Sequence, residues 1–185
     1  MIGHNRGPAL GRGWAEHCWR VARRELLPQV PLQIIRLRLK RAEELGLNYR
    51  IYAGIRAATG RDIVAFLFSS NALDVLPRRI VMPDVKAAKL NRLKDCGRFA
   101  LVQPPMQAAA VLRANPALQR AAPAPRIDDG WSTIRERVRG VFRERGCPSD
   151  AVLVIGDTAL EREWAEAGKC AGFLPSDRYF AAHRP

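Results

Sequence analysis

The run AVLVIG at 151–156, followed at once by Asp157 and the T-x-x-E pattern of Thr158 and Glu161, constrains this chain more than any other segment. An unbroken apolar run of this length predicts a buried strand, since a strand with one wet face alternates polar and apolar side chains. Threonine followed three residues later by glutamate satisfies the first amides of a helix reciprocally, so a helix starts where the strand ends. Its predicted inner face is Leu160, Trp164 and Ala167, with Gly168 at its end, and KCAGFL (169–174) predicts a last short strand. Upstream, Trp131, Ile134, Val138 and Phe142 mark one face of a helix ending at Gly146. RFALVQ (98–103) reads as a strand, VKAAKLNRLKDC (85–96) as an amphipathic helix, and DIVAFLF (62–68) as a strand or a buried helix, which periodicity does not separate at that length. Alternating strands and helices predict an α/β fold: an N-terminal helical module followed by a small, mostly parallel sheet with flanking helices.

The module at the front has its own pattern. Residues 1–13, rich in Gly and Arg without periodicity, predict a flexible basic arm, and 14–60 predict helices. Trp14, Cys18, Val21 and Leu26 share a face over 14–29; Leu32, Ile35, Leu39 and Ala42 continue the spacing after Pro31, and Gly46 is a natural C-terminal cap. Asn48 caps the next helix, whose apolar face is Ile51, Tyr52, Ile55 and Ala58 and whose end is Gly60. The α/β domain then runs over 61–185, with a proline-rich connection near 104–128 that holds a short helix at 106–114.

Charge narrows the function classes. The chain carries 31 Lys plus Arg against 18 Asp plus Glu, for a formal net charge of +13. Residues 1–61 hold 12 basic and 4 acidic side chains, 62–129 hold 10 and 6, and 130–185 hold 9 and 8, so the excess lies at the front. A field of that sign attracts phosphate backbones or an acidic partner, and it equally serves as a solubilising surface. Cys18, Cys96, Cys147 and Cys170 are widely spaced, which suits reduced, packed thiols rather than zinc or a disulfide scaffold. His4, His17 and His183 are too scattered for a metal centre. No G-x-S-x-G elbow, phosphate-cradling glycine loop, secretory leader or membrane-length apolar run stands in the sequence, so a cytoplasmic protein without cofactor or membrane partner is expected. Arg135, Arg139 and Arg143, four residues apart, predict a solvated stripe, with Glu136 and Glu144 nearby. Trp14, Trp19, Trp131 and Trp164 are expected in the core.

Residues 38–60, RLKRAEELGLNYRIYAGIRAATG, resemble the helix-turn-helix of phage repressor and Cro-type proteins. Ala42 lies four residues before Gly46, Leu45 and Leu47 flank that glycine, and Tyr52 and Ile55 sit where the second helix needs anchors. The resemblance implies that Asn48, Tyr49, Arg50, Ala53 and Ala57 face a DNA major groove, with Arg50 on a guanine edge and Asn48 or Tyr49 on a base or phosphate. Arg36, Lys40, Arg41 and Arg56 would reach backbone phosphates, and Arg6 and Arg12 of the arm a phosphate or the minor groove. Gly54 lies inside that second helix, where glycine costs about 1 kcal/mol relative to alanine. The same Ala-x-x-x-Gly turn also joins helical hairpins that bind nothing.

Residues 151–168 resemble the last motif of haloacid dehalogenase-type phosphohydrolases, in which a strand delivers a Gly-Asp pair and the acid helps hold magnesium; Asp157 matches that acid. Lys89 or Lys94 is offered for the family's phosphate-binding lysine. The family's D-x-D nucleophile motif is missing: AFLFSSNALDVL supplies Phe68, Ser69 and Ser70, and LVQPP lacks the second motif's hydroxyl. The resemblance therefore implies an inactive scaffold, with Asp157 a helix N-terminal acid ahead of a metal ligand. Together these readings predict a non-enzymatic protein that binds duplex DNA in a regulatory or DNA-packaging, phage-like accessory role, with a homodimer or an acidic protein as further partners; the alternative is an inactive hydrolase-like interaction protein for an acidic protein or RNA.

Overall fold

A computed structural model describes residues 31–181, and the chain divides into two compact units, Met1–Leu37 and Arg38–Pro185. The expected arm and first helix, with Arg6 and Arg12, lie outside the described residues. Helix α1 (Leu32–Glu44) closes at Gly46, whose φ of 61° lies in the left-handed region that glycine adopts without a steric penalty. Asn48 then caps α2 (Tyr49–Thr59), its side-chain oxygen accepting the Arg50 amide at 2.8 Å, and Gly60 ends α2 with φ 71°. Strands and helices alternate from there: β1 (Ala65–Ser69), α3 (Asp84–Asn91), β2 (Gly97–Val102), α4 (Ala108–Ala114), β3 (Arg120–Pro123), α5 (Trp131–Arg143), β4 (Val152–Gly156), α6 (Ala159–Gly168), β5 (Gly172–Pro175) and α7 (Ser176–Phe180).

The five strands form one sheet in the order β3-β2-β1-β4-β5, with every pairing parallel. β1 and β4 are buried along their whole length because helices cover both faces. Alternate residues divide between two cores. Phe66, Phe68, Ala100, Val102, Leu153 and Ile155 belong to one, with Leu45, Leu47 and Tyr52 of the front hairpin, Leu90 of α3, Val111 of α4 and Tyr179 of α7. Ala65, Leu67, Phe99, Leu101, Val152 and Val154 belong to the other, with Ile134, Val138 and Phe142 of α5 and Trp164 of α6. Of the segment at 62–68, the part from Ala65 on is a strand, which runs to Ser69.

Three local expectations need correction. The proline-rich stretch contains β3, an edge strand of Arg, Ala, Ala and Pro that pairs on one side with β2. An edge needs no unbroken apolar run and tolerates a proline, so it left no periodic signature. Trp131 is 47% exposed, one turn ahead of the buried row that Ile134 begins, and Val141 joins that row instead. Leu39 and Ala58 are exposed as well, leaving Ala42 and Tyr52 as the buried residues of their helices.

Candidate functional site

The front hairpin anchors its second helix by one face. Tyr52 is buried, packs in the core with Phe66 and Phe68, and its hydroxyl donates to Asp62 at 2.8 Å. Burial first, and then that hydrogen bond, raises the Tyr52 pKa above its ordinary value and keeps the phenol neutral; Arg56 opposes the shift. Tyr49 is half-buried and packs against the same core. The opposite face of α2 is bare: Arg50, Gly54 and Ala57 are exposed, Ala53 is half-buried, and a methyl added at Gly54 would meet nothing within 4 Å. Asn48 is exposed, but its side-chain oxygen is committed to the cap. Lys40 is exposed on α1, Arg56 is half-buried, and Arg36 falls within the first unit.

Arg41 is the member of the predicted set that the fold engages most fully. Its guanidinium bonds Asp62 at 2.9 Å, Glu44 at 3.4 Å, and the carbonyls of Lys94, Ile63 and Asp95 at 3.0, 3.1 and 3.1 Å. The planar fork of donors suits such a convergence, and it ties the end of α1 to the residues leading into β1 and β2. A guanidinium so occupied is not free for a phosphate. The sequence did hold a signal: Arg41 lies four residues before the buried Leu45 and next to Ala42, on the inward edge of the helix.

A second place for chemistry is the carboxyl edge of the sheet. In doubly wound sheets the crevice for ligands opens where the strand order reverses, here between β1 and β4. This chain fills that position with its own carboxylate. Glu161 is fully buried; its Oε2 accepts the Asp157 and Thr158 amides at 2.6 and 3.1 Å, and its Oε1 accepts the Asn71 side-chain amide at 2.8 Å. The expected capping box is present in full. Gly156 makes the close approach possible, since a Cβ there would lie 2.8 Å from Glu161 Oε2. Ser69 and Ser70, at the end of β1, are buried, and their hydroxyls accept the Ala72 and Gln103 amides. Asp157 is exposed at its side chain, with Oδ1 accepting the Ser176 amide at 3.2 Å. No group of three or more His, Cys, Asp or Glu among the described residues is placed to hold a metal ion.

The lysines considered for phosphate are engaged elsewhere or set apart. Lys89 of α3 donates to the Tyr179 carbonyl and lies 4.2 Å from the Tyr179 ring centroid; burial pulls its pKa down to about 8. Lys94 is exposed in the connection to β2, where its carbonyl accepts from Arg41. Arg135 and Arg139, expected as a solvated stripe, instead donate to the Ala167 and Gly168 carbonyls at 3.2 and 2.9 Å. They serve the negative, unpaired end of α6, a role that spacing along α5 does not reveal. Cys96 and Cys170 are pushed up to about 12 by burial, so these thiols are poor nucleophiles. Among the described residues no helix is long and apolar enough to cross a membrane. No family model matches the chain, and neither a curated protein nor a solved structure matches it.

Proposed function

We propose that this chain is a non-enzymatic duplex-DNA-binding protein that docks through the outer face of α2. The observation that carries the reading is the asymmetry of that helix. One face is nailed to the sheet by Tyr52, and the other presents Arg50 beside Gly54 and Ala57, small enough for close approach to a groove floor. Lys40, exposed on the preceding helix, is the phosphate contact of this reading, and the net charge of +13 draws the duplex in. Arg41 and Tyr49 drop out of the contact set, since their side chains are used by the fold. The α/β body acts as the scaffold. Its switch-point crevice holds Glu161, and its β1 serines are bonded to backbone amides, both of which favour binding over hydrolysis.

Fluorescence anisotropy with a labelled random duplex, titrated at several salt concentrations, tests the reading. Log affinity is expected to fall linearly against log salt. Lys40→Ala should weaken binding to all duplexes and reduce the slope by about 1, whereas Arg50→Ala should flatten preference among sequences recovered by selection. Absence of binding at low salt, or wild-type behaviour of both variants, sinks the proposal.

A further inference from the structure

We infer that the segment at 76–85, between β1 and α3, is a docking surface for an acidic partner peptide that carries apolar side chains. The inference does not depend on DNA binding, because it uses none of the α2 residues. Leu76 and Arg79 exchange both backbone hydrogen bonds, at 3.0 and 2.8 Å, closing a tight hairpin over Pro77 and Arg78. The far side of the segment is pinned from within the fold. Buried Asn115 accepts the Met82 amide at 2.8 Å and donates to the Ile80 and Val111 carbonyls at 2.8 and 2.7 Å, while Met82 itself is buried. A surface held this way has already met much of its ordering cost before a partner arrives.

What this pinned segment displays is apolar and basic. Leu76, Val81 and Val85 are 48%, 53% and 80% exposed, with Ile80 at 37%, and Arg78 and Arg79 are exposed among them. Scattered apolar side chains on a surface need no account, but four within ten residues on a rigid segment mark an interaction site. Neither arginine forms an ion pair among the described residues; the nearby carboxylate of Asp74 is taken by Lys86 at 2.7 Å, which leaves Asp84 as the exposed acid of the segment. Arginine is enriched at interface centres, and the apolar side chains around it supply area that a partner would take out of water.

Charge selects the occupant. A second copy docked symmetrically would have Asp84 as the one exposed acid of the segment to set against Arg78 and Arg79. The first 30 residues of the chain carry Arg6, Arg12, Arg20, Arg23 and Arg24 against Glu16 and Glu25, so they share the sign of the patch. A duplex would meet the arginines and leave Val81 and Val85 facing phosphates. An acidic peptide with apolar side chains satisfies both halves.

The test pans a displayed library of random 12-residue peptides on the full chain and measures the recovered sequences as synthetic peptides by calorimetry. Recovered peptides should be enriched in Asp or Glu alternating with large apolar residues. Their affinity should fall at least tenfold in the double variant Arg78→Glu/Arg79→Glu, and again in Val81→Ser/Val85→Ser, while both variants keep the wild-type unfolding midpoint. The inference is overturned by recovery of no peptide above background, by peptides lacking acidic enrichment, or by affinity unchanged in both variants. A concentration-dependent dimer in sedimentation that Val81→Ser/Val85→Ser abolishes assigns the surface to a second copy and overturns it too.

Discussion

Replacing Arg41 by alanine separates the two roles open to a cation in the front hairpin. As a phosphate contact, Arg41 would matter to DNA affinity and little to folding; as placed, it should do the reverse. Its side chain is 17% exposed and that of Asp62 is 35% exposed, so the pair is shielded but not dry. Removing one partner of a fully buried ion pair costs about 3–5 kcal/mol, and partial exposure of Asp62 brings the cost to the bottom of that range or just below it. Alanine would also leave the Ile63, Lys94 and Asp95 carbonyls without this donor, although those at the surface can turn to water. A loss of about 2–3 kcal/mol follows, or roughly 5–10 °C in unfolding midpoint for a domain of this size. Lysine at 41 should recover less than half of it, since a point charge cannot reproduce the fork. Urea titration followed by circular dichroism reads the loss, and a double-mutant cycle with Asp62→Asn should return a coupling of about 1–2 kcal/mol. A variant that melts within about 1 °C of wild type, while its salt slope on duplex DNA drops by about 1, would refute the structural assignment of Arg41.

Gly54→Ala should stabilise the chain by up to about 1 kcal/mol, as the added methyl meets open space in a helix interior; a fall in duplex affinity in the same variant, measured by anisotropy, is expected if the outer face of α2 enters a groove. Glu161→Gln should cost about 1.5–3 kcal/mol in denaturant unfolding, since glutamine keeps an oxygen on the Asp157 and Thr158 amides only by turning its NH2 onto the Asn71 amide, and the charge that strengthens all three bonds is lost. Unchanged stability in that variant would remove Glu161 as the plug of the β1–β4 crevice. Lys89 has its pKa lowered by burial from 10.5 to about 8. Between those values the unfolded chain binds more protons than the folded one, so stability gains from this residue as pH rises through that window, and the cost of its buried charge is fully present below it. Lys89→Met should therefore flatten the wild-type stability rise between pH 8 and 10.5; a difference between the two proteins that does not change across that window counts against the buried charge.

The sequence was legible where the physics is local. The capping box of Thr158 and Glu161, the Gly46 turn and the Asn48 cap each involve residues within a few positions of one another, and each stands as the residue types demand. The apolar run of β4 implied cover on both faces, which in turn implied parallel neighbours. The carboxyl edge was half legible. Spacing identified Glu161 as a cap, but its second oxygen is held by Asn71, 90 residues away, and only the pairing of β1 with β4 brings the two together. Lys40 and Arg41 show the same limit within two adjacent positions. Counted as charge they are equivalent, yet a single residue step, roughly 100° about the helix axis, puts Lys40 in solvent and Arg41 over Asp62. A basic segment therefore says how much positive charge a chain carries and not how much it offers. The offered part is what remains after the fold has used its arginines to hold carboxylates and the unpaired ends of helices, as Arg41, Arg135 and Arg139 do here, and that remainder is what a polyanion would meet.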